Sequence, residues 1–174
     1  MKIVLHICCG VCAAGVAERL ITEGHEIRGF FYNPNIYPPA EYQRRLEAAR
    51  RVADELNFPL EVGAYDTDEW SAATESLQDE PEGGRRCQVC FRLRLEETYR
   101  YLQDGGGDAL TTTLTISPHK SADIINHIGQ KIAGEKFLVR DFKKKAGFQR
   151  AIELAGEWNL HRQHYCGCRY SLRG

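Results

Sequence analysis

The N-terminal half alternates two hydrophobic patterns. Ile3 to Ile7 is a short apolar run, as in a strand buried on both faces, and it ends at Cys8. Ala13 to Glu23 predicts a helix closed by Gly24. Glu26 to Tyr32 predicts a second strand, broken by Asn33-Pro34-Asn35. Ala40 to Asn57 predicts a long amphipathic helix. Tyr42, Leu46, Ala49, Ala53 and Leu56 keep helical spacing, and Arg44, Arg45 and Arg51 occupy its other face. Leu60 to Ala64 predicts a third strand. Thr67 to Ser76 predicts a short helix with Thr67 as N-cap and Asp68 and Glu69 at the positive end of its dipole.

The same alternation continues beyond Glu80–Arg86. Cys87 to Gln103 predicts a helix with Phe91, Leu95, Tyr99 and Leu102 on one stripe, ended by Gly105-Gly106-Gly107. Ala109 to Leu114 is a β-branched strand stopped by Ser117-Pro118. A helix over Ser121–Ala133, a strand over Lys136–Val139 and a helix over Phe148–Trp158 follow, and the tail from Asn159 is irregular. Strands alternating with helices imply an α/β domain over residues 1–174: a three-layer parallel sheet flanked by helices. Such sheets hold ligands at the carboxyl ends of their strands, near a reversal in strand order. The loops Cys8–Cys12 and Ile116–Lys120 fall at such ends.

Composition adds one anomaly. With 27% charged and 43% hydrophobic residues, the chain is neither disordered, collagenous nor coiled coil. At 174 residues it makes a core without cross-links, yet it has seven cysteines. An odd number fits a fully paired disulfide framework poorly. The apolar start is interrupted by His6 and three cysteines, unlike a signal peptide, and no apolar run reaches membrane-spanning length. The expected home is the cytoplasm, away from membrane, with thiols reduced. The net charge of −1 conceals −7 over residues 1–130 and +6 over residues 131–174. A basic C-terminal quarter suits nucleic acid, and equally a solvated face.

The cysteines form three clusters. Cys8, Cys9 and Cys12 share a tight turn with Gly10. Cys87 and Cys90 sit three apart at a helix start beside Arg85 and Arg86, where thiolate is favoured. Cys166 and Cys168 flank Gly167. Burial as small hydrophobes explains one or two cysteines, not three clusters. Adjacent cysteines suit a multi-iron cluster better than two zinc knuckles. The expected arrangement is a [4Fe–4S] cluster on Cys8, Cys9, Cys87 and Cys90, with Cys12 unassigned. Cys166 and Cys168 then form a labile disulfide or ligate a second metal ion.

Six segments in order carry a resemblance: LHICCGVC (5–12), FYNPNIYPPAEYQRRL (31–46), RRCQVCFRLRLEET (86–98), TTTLTISPHKS (111–121), DFKKKAGFQRA (141–151) and LHRQHYCGCRYS (160–171). Together they resemble the cobalamin-independent epoxyqueuosine reductases, with Val11 where that family suggests proline. The resemblance implies a fold similar to the nucleotide-binding α/β superfamily that includes tRNA thiolases. Cysteines replace its phosphate-cradling glycine loop, which argues against ATP. It implies an oxidoreductase of queuosine biosynthesis that reduces epoxyqueuosine to queuosine in the wobble position of tRNA. The implied cofactors are a [4Fe–4S] cluster and an additional mononuclear iron, and the implied partners are tRNA and an unidentified electron donor.

Loss of an epoxide oxygen as water consumes two electrons and two protons. An iron near Cys166 and Cys168 would polarise that oxygen. Asp141, Tyr165 and His164 are candidate proton donors, although Asp141 can equally pair with the following lysines. Lys143, Lys144, Lys145 and Arg162, with Arg150 and Arg169, are candidate phosphate contacts. Asn33, Asn35 and Tyr37 are candidate base contacts, with Tyr32 and Tyr42 as further aromatics. His6 is expected in the core, one turn from Cys8. Three rivals are a zinc-binding nucleic-acid module without catalysis, an iron–sulfur tRNA thiolase, and a thiol–disulfide oxidoreductase using Cys87 and Cys90.

Overall fold

In the computed structural model, which describes residues 1–172, the apolar runs become four parallel strands. They are β1 (Lys2–His6), β2 (Glu26–Phe31), β3 (Leu60–Val62) and β4 (Ala109–Thr112), in the order β3-β2-β1-β4. Val4 lies opposite both Arg28 and Leu110, so β1 is central. Side chains alternate across it. Ile3 and Leu5 enter the core shared with α1 (Gly10–Thr22), α2 (Pro39–Leu56) and α6 (Gly147–Glu157). Val4 enters the opposite core with Phe91 and Leu95 of α4 (Arg85–Tyr101) and Ile125 of α5 (Ala122–Ala133). Helices on both faces make the expected three layers. No helix among the described residues is long and apolar enough to cross a membrane.

Several boundaries differ from the sequence expectation, each for a local reason. The Lys136–Val139 strand reduces to one parallel bridge between Phe137 and Leu110. A 3-10 turn over Gly134–Lys136 precedes it, and Asn126 then takes both backbone groups of Arg140, at 3.0 and 3.4 Å. β4 stops at Thr112 because its hydroxyl accepts from Leu114 N and caps a 3-10 turn over Thr113–Ile116. The cap of α3 (Thr67–Thr74) is Asp66, not Thr67: its carboxylate accepts from Asp68 N and Glu69 N. Arg45, placed on the solvated face by periodicity, is only 2% exposed, because the C-terminal tail returns across α2.

Helix α1 starts at Gly10, three residues earlier than its hydrophobic periodicity indicates, with Cys9 as N-cap. A Cβ at Gly10 would lie 2.6 Å from Ala48 Cβ and 2.8 Å from the Ala48 carbonyl carbon. Glycine therefore allows α1 and α2 to touch beside the cysteine turn. Gly10→Ala is expected to cost about 1–3 kcal/mol through overpacking, read as a lower urea midpoint with an unchanged m-value.

The strand order fixes where the site lies. The chain runs outward from β1 to β2 and β3, then crosses back to β4 on the other side of β1. Loops leaving β1 and β4 diverge there, opening a crevice at their carboxyl ends.

Candidate metal centre

The β1 strand delivers Cys8 to that crevice. Cys8 N donates to Thr113 Oγ1 at 3.1 Å, and the Thr113 hydroxyl reaches Cys8 Sγ at 3.1 Å. Cys9 Sγ accepts from Cys12 N at 3.4 Å and from Gln163 Nε2 at 3.0 Å. The sulfurs of Cys8, Cys9 and Cys12 lie within 4.8 Å of one another. Cys12 lies with Cys8 and Cys9, as its spacing predicts, in the first turn of α1. Hydrogen bonds from Cys12 and Cys9 hold the Cys8 thiol well below its ordinary pKa. The same bond to Cys8 pushes Cys12 well up. Cys9 rises to about 12: its bond with Cys12 works downward, but its bond with Cys8 and burial outweigh it. Two neighbouring S–H groups and the helix N-terminus thus favour the ionised form of Cys8 over that of Cys9 or Cys12.

The second wall is the first turn of α4. Gly83 N donates to Cys87 Sγ at 3.2 Å. Cys90 is buried with Trp70 and Cys168. Burial raises the Cys87 thiol and lifts Cys90 to about 11. Arg86, 1% exposed, donates from Nη1 to the carbonyls of Leu77, Gln78 and Glu80 and lies 5.1 Å from the Tyr170 ring centre. It ties both the preceding loop and the tail to α4.

The third wall is the tail. Arg45 donates from Nη1 to Cys166 O at 2.7 Å, from Nη2 to Tyr165 O at 2.8 Å and from Nε to Glu41 Oε1 at 3.0 Å. Gly167 has φ 140°, and a Cβ there would lie 2.8 Å from Arg45 Nη1. Tyr37 N donates to Gly167 O at 2.8 Å, and the Tyr165 hydroxyl donates to Tyr37 O. Burial works to raise Glu41, but hydrogen bonds from His161, Arg45 and Arg44 overcome it and hold the carboxyl at about 2, against an ordinary 4.5. A carboxyl depressed in the folded state adds stability above its ordinary pKa. That contribution is lost as pH falls from about 4.5 toward 2. The thermal midpoint of the metal-free protein is expected to drop across this window, and Glu41→Gln to flatten that part of the profile.

The walls enclose a cavity of about 580 Å³ lined by Cys8, Cys12, Cys166, Arg94, Lys120 and Gln163, among others. Burial opposes the charge on Lys120, and the sulfurs of Cys166, Cys8 and Cys12 outweigh it, raising its pKa. Several buried polar atoms around the cysteines lack partners: Arg94 Nε and Nη2, Gln163 Oε1 and Asn35 Oδ1. Trp70 Nε1 has no nitrogen or oxygen acceptor and lies beside the Cys90 sulfur. Unpartnered buried donors are costly in a finished interior. All seven cysteines are free thiols. Thiols from three segments, faced by the unpartnered N–H groups of Arg94, fit an anionic iron–sulfur group; the Gln163 and Asn35 oxygens are acceptors and take no part in that fit.

The remaining candidates separate by position. Tyr165, His164, Arg162 and Asn35 line the cavity. Asp141 is not among its lining residues; it accepts from Lys143 N at 3.1 Å and pairs with Lys143 Nζ at 3.5 Å. Asn33 is buried and donates to Ile7 O at 2.9 Å. Tyr37 is 41% exposed, with Arg169 5.1 Å from its ring centre. Tyr32 and Tyr42 are core residues, and Tyr42 stacks on Tyr65. Lys143 Nζ donates to Thr115 O at 2.8 Å, and Arg150 grips Glu18 at 2.7 and 2.8 Å, whereas Lys144 and Lys145 are exposed. His6 bonds Thr112 Oγ1 and Tyr32 O, and burial lowers its pKa to about 4, so it stays neutral. Residues that periodicity and spacing did not single out are Thr113, Lys120, Gln163, Arg45 and Arg94. Only the long separation between contacting partners reveals them.

Known proteins match both fold and sequence. The family profile described as epoxyqueuosine reductase QueH matches residues 3–174. The epoxyqueuosine reductase QueH of Streptococcus pyogenes serotype M1 is 38% identical over 182 residues, covering 99% of this chain and 71% of that protein. That of Thermotoga maritima is 36% identical over 179 residues, covering 98% and 90%. Among solved structures, the U34-tRNA thiolase NcsA from Methanococcus maripaludis with its [4Fe-4S] cluster superposes with TM-score 0.56 at 14% identity, covering 99% of this chain and 61% of that one. The NMN synthetase from Francisella tularensis superposes with TM-score 0.54 at 17% identity, covering 91% and 62%. This chain spans about three fifths of either structure, and at such identities they share its fold alone. A profile match over nearly the whole length, with relatives above one third identity, settles the lineage: the chain belongs to the epoxyqueuosine reductase QueH family.

Proposed function

We propose that this protein reduces epoxyqueuosine to queuosine in the wobble position of tRNA, in the cytoplasm, with electrons from a separate donor. The observation that carries the reading is that the three cysteine segments come together: Cys8, Cys12 and Cys166 line one cavity beside β1, and Cys90 of α4 packs against Cys168 of the tail. The proposed group is a [4Fe–4S] cluster on Cys8, Cys9, Cys87 and Cys90, with an adjacent iron near Cys166 and Cys168. When bound, this group supplies the electrons and the Lewis acidity that C–O cleavage needs. The closeness of Cys12 to Cys8 and Cys9 supports a second ligand set in which Cys12 replaces Cys9.

The chain's own residues position and protonate. Gln163 donates to Cys9 Sγ, and Thr113 fixes Cys8. Of the three candidate proton donors, Tyr165 and His164 line the cavity, which favours them over Asp141. Arg45 holds the carbonyls that frame Cys166 and keeps that sulfur against the cavity. Where an ATP-using relative would offer glycine N–H groups to phosphate, this crevice offers thiols, which disfavours the thiolase reading.

Anaerobic purification with iron, sulfide and zinc quantitation, followed by single-turnover assay on tRNA carrying epoxyqueuosine, tests the proposal. Iron with sulfide and formation of queuosine are expected; zinc without sulfide overturns it. For the RNA interface, Lys144→Glu with Lys145→Glu is expected to weaken tRNA binding and flatten its salt dependence, by about one unit of slope for each phosphate no longer neutralised. Arg150→Ala, whose partners are Glu18 and Glu153, is expected to leave that slope unchanged. Filter binding from low to moderate salt reads both.

A further inference from the structure

Arg94 lies one helical turn after Cys90, at i+4, so its guanidinium shares a face of α4 with that sulfur. It is 3% exposed. Of its five donors, Nη1 reaches Asn33 Oδ1 at 3.3 Å, while Nε and Nη2 have no partner. The Phe91 ring lies 5.7 Å from the guanidinium carbon. It lines the cavity together with Cys8 and Cys166, and Cys87 and Cys90 lie in the first turns of its own helix. These four belong to all three cysteine segments. An arginine cannot discharge itself as a buried lysine can. Its desolvation is therefore only partly compensated while the surrounding thiols keep their protons, and more fully once they ionise. Metal binding ionises thiols outright.

We infer that Arg94 is the buried counter-charge of the metal group, stabilising its thiolate ligands and raising its reduction potential. The inference rests on the proposed function. A fixed cation favours whichever oxidation state carries more negative charge, which is the reduced one. In the metal-free protein the cation's charge is only partly compensated, so Arg94 acts with opposite sign in the empty and loaded states.

The test compares full-length parental, Arg94→Met and Arg94→Lys proteins, each metal-free and anaerobically reconstituted with iron and sulfide. Metal content, thermal midpoint and a dithionite redox titration are measured. Arg94→Met is expected to raise the thermal midpoint of the metal-free protein and lower that of the loaded one. At the parental midpoint potential, its ratio of reduced to oxidised protein is expected to fall tenfold, a 59 mV shift for one electron. Arg94→Lys is expected to retain most of the potential. If Arg94→Met destabilises the metal-free protein or leaves it unfolded, Arg94 serves structure through Asn33, and the inference is overturned. An unmoved potential in a normally loaded variant overturns it as well. A parental protein that takes zinc and no sulfide fails the functional reading instead. The two thermal midpoints, measured empty and zinc-loaded, then still decide the role of Arg94.

Discussion

Cys8→Ser is expected to give a folded protein that holds little iron and deoxygenates epoxyqueuosine at least a hundredfold more slowly, on the order of the loss seen for disabled metal sites. Cys8 is where β1 ends, where Thr113 reaches across from the end of β4, and where α1 is about to begin. Of the three sulfurs in its turn, it is the one whose thiol is pulled well below its ordinary value. A serine hydroxyl is nearly isosteric, so packing survives, but it stays protonated at neutral pH and cannot replace a thiolate. Cys12→Ser separates the two ligand sets. Retained iron and sulfide support the Cys8, Cys9, Cys87, Cys90 set, and loss supports the set that uses Cys12. Iron and sulfide per chain, with single-turnover kinetics, check both variants.

The second large effect belongs to Arg45, which touches no candidate ligand through its sulfur. Arg45→Met is expected to cost about 3 kcal/mol, the low end for breaking a buried ion pair, because His161 and Arg44 still pair Glu41. It also strips the carbonyls of Tyr165 and Cys166 of their donors. The urea midpoint should fall, and Cys166 should react faster with a thiol reagent in the metal-free protein. Arg45→Lys should not restore either property, since a single ammonium cannot bridge two carbonyls and a carboxylate. Combining Arg45→Met with Glu41→Gln should cost less than the sum of the two changes, because both remove the same Arg45–Glu41 ion pair. A double-mutant cycle in urea measures the difference.

The sequence made the layers legible because strands buried on both faces and amphipathic helices have distinct periods. The strands expected over Ile3–Ile7 and Ala109–Leu114 and the helix over Ala40–Asn57 each have a counterpart of the expected type, the second shortened at Thr112. Local chemistry failed where a partner came from afar. Arg45 looked solvated by period, yet the tail covers it. Lys136–Val139 looked like a strand, yet Asn126 ends the pairing after one residue. The first turn of α1 was missed because apolar periodicity begins at Ala13, whereas the cap set by Cys9 starts the helix at Gly10. The lysine run looked uniformly available, yet Lys143 is drawn inward by Thr115 O. Clustering of cysteines pointed to metal chemistry, and strand order together with the Arg45 and Arg86 contacts to the tail brings the clusters near one another.

The bond from Gln163 to Cys9 joins residues 154 positions apart. During translation, the earliest cysteines therefore emerge long before the tail that closes over them. At ordinary rates of synthesis that interval is roughly 8–30 s. Throughout it a nascent chain displays an incomplete thiol nest, open to scavenging by adventitious metal or oxidant. Metal met during that interval would find Cys8, Cys9 and Cys12 without the Gln163 donor that later reaches Cys9.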